Sequence, residues 1–580
     1  MKAPHDGGTM RTGDESMVST SCLRWLFACG LASALGASAC NGDIGGLGST
    51  QRPGPNGGNA TGGGAVGTDG IDPGRVGIHR LNNTEYNNTV RDLLGTTSQP
   101  AAMFLAEEGL QFDNTATALG MTPSQYEGYM QAASDVVAES LANSAQRARF
   151  MSCTPAVVAD PCARQIIETF GMKIYRRPLE TTEVDRAMKV YDADFARAKN
   201  GSDAIGQALR AMLSAANFLY RIEYDAVPAS TTPHPLSGYE LASRLSYLNW
   251  SSMPDAALFD AAKSGQLLDP TVLESTVDRL LTDAKASAFV ESFAGQWLDI
   301  RKLATHSTVP QIFPTYTPAL SDAMVTEGYM WFQEFLSKDR PITDWFTADF
   351  NYVNDVLAQH YGFAAPGKGD QFTRVEVTTD QRVGFLGLAS FLTQTSFPSR
   401  TSPTLRGVWV LSELLCDPPA PPPANVPKLD DSADPTNTTP SGSENVRARL
   451  EQHRAAASCS ACHKILDPIG LGLERFDGIG RYRETYANGD AIAPEGQLPD
   501  GTPFAGPHEL GVLVGKDPRF TACAASKLFT YALGRDIDDV DTVSMQRLQD
   551  KWTGRGLTLR NLIKEIVLSD TFRFRRGEPE

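Results

Sequence analysis

The stretch Cys459-Ser460-Ala461-Cys462-His463 sets two thiols three positions apart and an imidazole directly after the second. On a helix, residues three and four apart share one face. Two thiols one turn apart can form thioethers to the two vinyl groups of one porphyrin, and the following histidine can ligate its iron. C-x-x-C-H is the attachment pattern of c-type haem. It predicts one covalent haem c, carried by Cys459 and Cys462, with His463 as the proximal ligand. Two other chemistries suit the same residues. The pair can be half of a zinc site completed by Cys523, Cys416 or His508. It can also be a C-x-x-C disulfide, redox-active or structural, although no βαβ pattern surrounds it.

A haem iron needs a sixth ligand or an open position, and that choice separates electron transfer from small-ligand chemistry. Met545 is the one methionine after His463 and is the expected sixth ligand. His508 and His453 are the alternatives, and the plain role for Met545 is core packing. Asp467, Glu474, Asp477 and Arg483 follow the motif as a charged cluster. Arg483 suits a haem propionate, since arginine recognises carboxylates bidentately; it equally suits an ion pair with Asp477. Asp467-Pro468 is expected to end the motif helix, because proline disfavours helical geometry in the residue before it.

No second centre emerges. His79, His234, His306 and His360 show no H-x-H or H-E-x-x-H spacing, there is no G-x-S-x-G elbow, and a second C-x-x-C-H is lacking. Glu107-Glu108 and the pair Glu183 and Asp185 are expected to be solvated surface groups. No catalytic residue is assigned.

The remaining chain must export and position the motif. The net charge is −16 over 580 residues, which argues against a nucleic-acid surface. Arg24 precedes the apolar run Trp25 to Ala32, and small residues lead to Ala37-Ser38-Ala39-Cys40. Met17 is a fitting start for such a signal. Residues 1–40 thus predict a lipoprotein-type signal sequence with Cys40 lipidated, the run being too short for an ordinary span. Residues 41–75, rich in Gly, Asn and Ser, predict a disordered tether. The expected location is extracytoplasmic, periplasmic or cell-surface, with the membrane reached through the lipid anchor only. In an oxidising compartment Cys153 and Cys162 are expected to close their short loop. Cys416 and Cys523 are then paired by elimination.

Helical spacing dominates from residue 76. Tyr86, Val90, Leu93 and Leu94 recur on one face, with Asn83 as cap and Gly95 as stop. Ile166, Ile167, Phe170 and Ile174 mark a helix ending at Arg176-Arg177-Pro178. Ser237 with Glu240 reads as a capping box ahead of Leu241, Leu245 and Leu248. Helices near Trp297 and Trp331 should turn their aromatics to a core. The fold class is mainly α: a multi-module helical array with a C-terminal cytochrome c-like haem domain. The expected divisions are 76–152, 153–228, 229–365, 366–443 ending in a Pro-rich linker, and 444–580 carrying the motif.

Several longer patterns carry a resemblance. They are Leu81-Asn82-Asn83-Thr84-Glu85-Tyr86 through Arg91-Asp92-Leu93-Leu94-Gly95, then Tyr175-Arg176-Arg177-Pro178-Leu179, then Glu240 to Asp255 with Thr347 to Asn354. Arg406-Gly407-Val408-Trp409 follows, then His463, Asp467-Pro468, Gly470, Leu473-Glu474, Phe476-Asp477, Gly480 and Arg483, and finally Tyr531-Ala532-Leu533-Gly534-Arg535. Together they resemble the secreted, cytochrome-like proteins of planctomycetes and myxobacteria, built from serial domains of unknown function, series 1587, 1595, 1592, 1588 and 1585. The resemblance implies an extracytoplasmic place and leaves the reaction open. It brings in complex polysaccharides, so carbohydrate is a candidate ligand. The expected function is a membrane-tethered c-type haem protein relaying electrons to a redox partner protein, with no nucleic-acid role. One alternative is an oxidoreductase acting on an external substrate such as a polysaccharide product. The other is a non-redox surface module that uses C-x-x-C-H as a disulfide or zinc site.

Overall fold

Helices form most of the structure, a computed structural model that describes residues 72–577 apart from 106, 108–110, 226, 422–444 and 455–456. The expectations for residues 1–40, for Cys40 and for nearly all of the 41–75 segment lie outside the described residues, as does most of the Pro-rich connector. The described strands are short and pair in two-stranded ribbons.

Local signals start and stop the helices. The Asn83–Leu94 helix is capped by Asn82, one residue before the expected cap, in a reciprocal box with Glu85. Asn82 takes the role because its extended backbone leaves its side-chain oxygen facing the Glu85 N–H. Gly95 ends the helix at φ 76°. The Pro161–Tyr175 helix stops at Arg176, left-handed at φ 60°. Ser237 and Glu240 form their box at the start of Gly238–Trp250.

Two large cores result. Helices between residues 83 and 213 pack around Tyr86, Tyr129, Ile166, Phe170 and Leu209. The larger core runs from Phe112 and Leu236 through Trp297, Trp331 and Trp345 to Ile563 and Phe572. Leu466, Ile469, Leu473 and Phe476, around the motif, belong to this same core.

Residues 444–580 therefore do not stand as a haem domain of their own: the described residues all fall within one compact unit. The physical reason is the return of the C-terminus. Phe574–Arg575 pairs antiparallel with His234–Pro235, and Arg244 donates to the Phe572 carbonyl at 2.7 Å. Asn114 donates to the Tyr531 carbonyl at 2.8 Å. A small satellite core, Val446, Leu450, Leu471, Tyr486 and Ile492, sits apart around the Val446–His453 helix.

The helix Pro403–Trp409 lies against the motif helix, Ala457–Leu471. Glycines permit this contact. A Cβ on Gly407 would stand 2.1 Å from the Leu466 carbonyl oxygen, and one on Gly470 only 1.8 Å from that of Pro403. Arg406, wholly buried, donates to the carbonyls of Leu473, Phe476 and Asp477 at 2.7–2.9 Å. A buried guanidinium is costly unless its donors are satisfied, and here it closes the loop after the motif.

Candidate functional site: a thiol–imidazole face on one helix

Cys459, Cys462 and His463 lie at helical spacing on the motif helix. Cys459 is buried, Cys462 and His463 are half-buried, and neither cysteine is in a disulfide. The His463 Nδ1 sits 3.0 and 3.1 Å from the two Asp467 carboxylate oxygens, one turn on. A carboxylate only accepts, so Nδ1 is the donor in this contact and Nε2 is left facing away from Asp467. Asp467 is fully buried and also accepts from Thr404 Oγ1 at 2.8 Å. Thr404 belongs to the crossing helix, so the packing of two helices sets the tautomer of His463.

Pro468 lies inside the motif helix, which continues to Leu471. The expected stop at Asp467-Pro468 is overridden by tertiary contacts. Asp467 is held by His463 and Thr404, while Leu466 and Ile469 are buried. Those contacts outweigh the local preference of a residue before proline.

His453 ends the helix before the motif, and its ring meets the His463 ring edge to face, with centroids 4.7 Å apart. Burial and the neighbouring His463 hold its pKa below the ordinary histidine value, against the pull of Asp467. Met545 lies elsewhere in the packing. It is half-buried against the large core on the Thr542–Gly554 helix, which packs on Pro518–Leu533 and Leu559–Leu568. The motif helix instead packs on Pro403–Trp409, Val446–His453 and the Glu495–Gln497 strand. His508 opens the Gly506–Lys516 helix, and its Nδ1 is buried without a hydrogen-bond partner.

Arg483 meets Glu474, at 2.5 Å, rather than Asp477. Asp477 is turned to the N–H groups of Ile479 and Arg481 in its own loop. Glu474 is fully buried, accepts from Thr401 at 2.6 Å, and keeps its Oε2 without a hydrogen bond. Burial raises its pKa, with Arg483 and Arg406 opposing.

The structure closes disulfides between Cys153 and Cys162 and between Cys416 and Cys523. The second pair is thereby unavailable to complete a zinc site. Among the described residues, no three His, Cys, Asp or Glu side chains gather as a metal site needs.

Two carboxylates depart from their expected surface role. Glu107 accepts from the Asn83 N–H at 2.8 Å and pairs with buried Arg80 at 3.1 Å; burial pushes its pKa up to about 7. Glu183 accepts from Arg177 and Asn217 and closes a capping box. Asp185 does lie at the surface, paired with Arg164. Glu108 is outside the described residues.

Sequence reasoning passed over Glu327. It is wholly buried and accepts from Asn351 at 2.7 Å and from the Tyr361 hydroxyl at 2.7 and 2.8 Å. Burial pushes its pKa up to about 7. The Arg382 guanidinium stacks 3.9 Å from the Tyr361 ring and donates to the Gly480 carbonyl, and His360 Nε2 faces the Ile479 carbonyl at 2.8 Å. This network grips the loop after the motif. Its signal was Asn351 in the Thr347 to Asn354 run, whose partner lies 24 residues away.

A cavity of about 610 Å³ opens between the Tyr175–Pro178 turn and the start of the Gly238–Trp250 helix. Tyr224, Tyr239, His234 and Glu240 line it, and it shares no lining residue with the motif. No described helix is long and apolar enough to cross a membrane.

Five family models match the chain in series, each described as a protein of unknown function. They are DUF1587 at residues 79–142, DUF1595 at 162–223, DUF1592 at 236–363, DUF1588 at 382–486 and DUF1585 at 500–572. The DUF1588 match runs across the expected division at 443–444 and holds Arg406 and the motif in one module. Neither the curated proteins nor the solved structures contain a match. The chain belongs to the proteins built from these five modules in this order.

Proposed function

We propose that this protein is an extracytoplasmic c-type haem protein that relays electrons. The observation that carries the reading is the pair of thiols and the imidazole at helical spacing on one helix, with the imidazole Nδ1 turned to buried Asp467 and Nε2 left available to a metal. That donor set suits a haem better than zinc, since among the described residues no three His, Cys, Asp or Glu side chains gather to hold a metal ion. A bound haem would supply one-electron redox chemistry.

The chain's own residues do the rest. Cys459 and Cys462 supply the thioether sulfurs, and His463 supplies the proximal nitrogen. Asp467 fixes the ring and makes the imidazole more basic, as carboxylate partners of metal-bound histidines do. Arg483 is held by Glu474, so a propionate would meet its remaining donors. The crossing helix and the Arg406 and Arg382 contacts keep the loop behind the motif closed.

Lipidation at Cys40 would tether the protein outside the cytoplasm, where c-type haem is attached and the two disulfides persist. A Cys40→Ser variant should leave the membrane fraction; unchanged membrane association would count against the anchor. The partner in this reading is a redox protein. A substrate oxidoreductase draws support from the 610 Å³ cavity, of a size suited to small molecules, but that cavity has no motif residue in its wall.

The deciding experiment is expression of the exported chain together with cytochrome c maturation. Haem should remain attached after denaturation, on the peptide holding Cys459 and Cys462. Correctly matured protein without covalent haem would overturn the proposal and leave the non-redox surface module.

A further inference from the structure

We propose that the cavity of about 610 Å³ is a binding site for an aromatic monocarboxylate, with the carboxylate on Arg221 and the ring against the tyrosines of the wall. The site stands apart from the electron-relay reading, because none of its lining residues belongs to the motif.

Arg221 supplies the charge. Its backbone is fixed in a ribbon, Tyr220–Arg221 pairing antiparallel with His79–Arg80. Its guanidinium lies over the buried Tyr247 ring, 5.0 Å from the centroid. Its carboxylate partner is Glu85, and the 3.8 Å from Nη2 is longer than a hydrogen bond. The Arg221 Nε is buried without a hydrogen-bond partner. A buried donor left unpaired is costly, and the guanidinium fork matches a carboxylate in shape and charge.

The other charged groups of the wall are already spent. Arg177 closes on Glu183 and Arg244 on Glu223. Asp225 takes Arg575 and His234. Glu240 accepts from the N–H groups of Ser237 and Tyr224. Arg176 donates to the neutral carbonyls of Asn217, Phe218 and Tyr220 at 2.7–3.0 Å. Arg176 and Arg221 thus share one carboxylate, Glu85, and one further negative charge balances them. Glu240 keeps its own negative charge in the same wall, so a second charge on the ligand is disfavoured.

The tyrosines define the rest of the ligand. Tyr224 is 47% exposed yet held, its hydroxyl accepting from Arg177 at 2.9 Å and its ring lying 5.2 Å from the same guanidinium. Tyr239 is half-buried and packs on Phe259. Burial pushes the Tyr175 pKa up to about 12, so its hydroxyl stays a neutral donor. Aromatic walls favour a flat ring, and the volume suits a small molecule.

The experiment is calorimetric titration of the full exported chain with 4-hydroxycinnamate. Its neutral counterpart, 4-hydroxycinnamyl alcohol, and the ringless carboxylate hexanoate serve as comparisons. 4-Hydroxycinnamate should bind, and the alcohol should bind about tenfold more weakly or worse, as loss of a charged hydrogen bond requires. Hexanoate should also bind more weakly. Arg221→Gln should weaken 4-hydroxycinnamate to the level of the alcohol, and Arg221→Lys should fall between variant and parent. Tyr239→Leu should weaken it severalfold. Circular dichroism checks the fold of each variant; should Arg221→Gln not fold, the ligand comparisons on the parent still decide. Equal binding of acid and alcohol, or of acid and hexanoate, would overturn the proposal. So would unchanged affinity in folded Arg221→Gln, tighter binding of a hexuronate, or no binding of 4-hydroxycinnamate at millimolar concentration. Each of these leaves the haem reading standing, and absence of covalent haem would leave this site standing.

Discussion

The backbone of Gly407 passes so close to Leu466 that a Cβ at Gly407 would lie 2.1 Å from the Leu466 carbonyl oxygen. This contact sets the crossing of the Pro403–Trp409 helix on the motif helix, and through Thr404 it sets Asp467 and His463. Gly407→Ala should therefore destabilise the fold by about 1–3 kcal/mol, the usual range for overpacking. Gly470→Ala, which meets the Pro403 carbonyl, should do the same. A chemical denaturation series on each variant checks this; a midpoint equal to that of the parent would show that the helices can part freely.

Asp467→Asn keeps the shape and removes the carboxylate beside His463 Nδ1. In matured protein the less basic imidazole should favour reduced iron, so the potential should rise. Potentiometric titration of parent and variant reads the direction, and a potential that falls or stays put would exclude Asp467 as a tuning group.

Glu327 makes a pH prediction. Burial raises its folded pKa to about 7, above the ordinary carboxyl value. Below the unfolded value both states are protonated. Between the two values the folded state holds the extra proton, so stability falls as pH rises through that window. The loss amounts to about 3 kcal/mol, at 1.36 kcal/mol per unit. The stability difference between Glu327→Gln and the parent should therefore shift by that amount in favour of the variant from pH 5 to pH 8. Parallel pH–stability curves would contradict this.

The two disulfides should differ in worth. In the chain-entropy model, closing the separation of 107 residues between Cys416 and Cys523 contributes about 5 kcal/mol, and closing the separation of 9 between Cys153 and Cys162 about 2–3 kcal/mol. Cys416→Ser with Cys523→Ser should lower the thermal midpoint more than Cys153→Ser with Cys162→Ser. Equal shifts would show that native contacts, not chain entropy, set the contribution.

By itself the sequence determined whatever depends on near neighbours. Helical class, the Ser237 box, the Gly95 stop and the one-turn spacing of Cys459 and Cys462 are short-range properties, settled by backbone geometry and side chains within about a turn. Even the cysteine pairs were open to counting. Only the tertiary structure decided the rest. It placed residues 444–580 in the shared core, because Leu466, Ile469, Leu473 and Phe476 join the apolar cluster that also holds Leu236, Trp297, Trp345 and Phe572. It carried the motif helix through Pro468, gave Arg483 to Glu474, paired Glu107 with buried Arg80, and buried Glu327. It also brought His453 to His463 while seating Met545 in another part of the packing. Each of these rests on which distant segments exclude water from one another, and burial of that kind has no signature in local spacing.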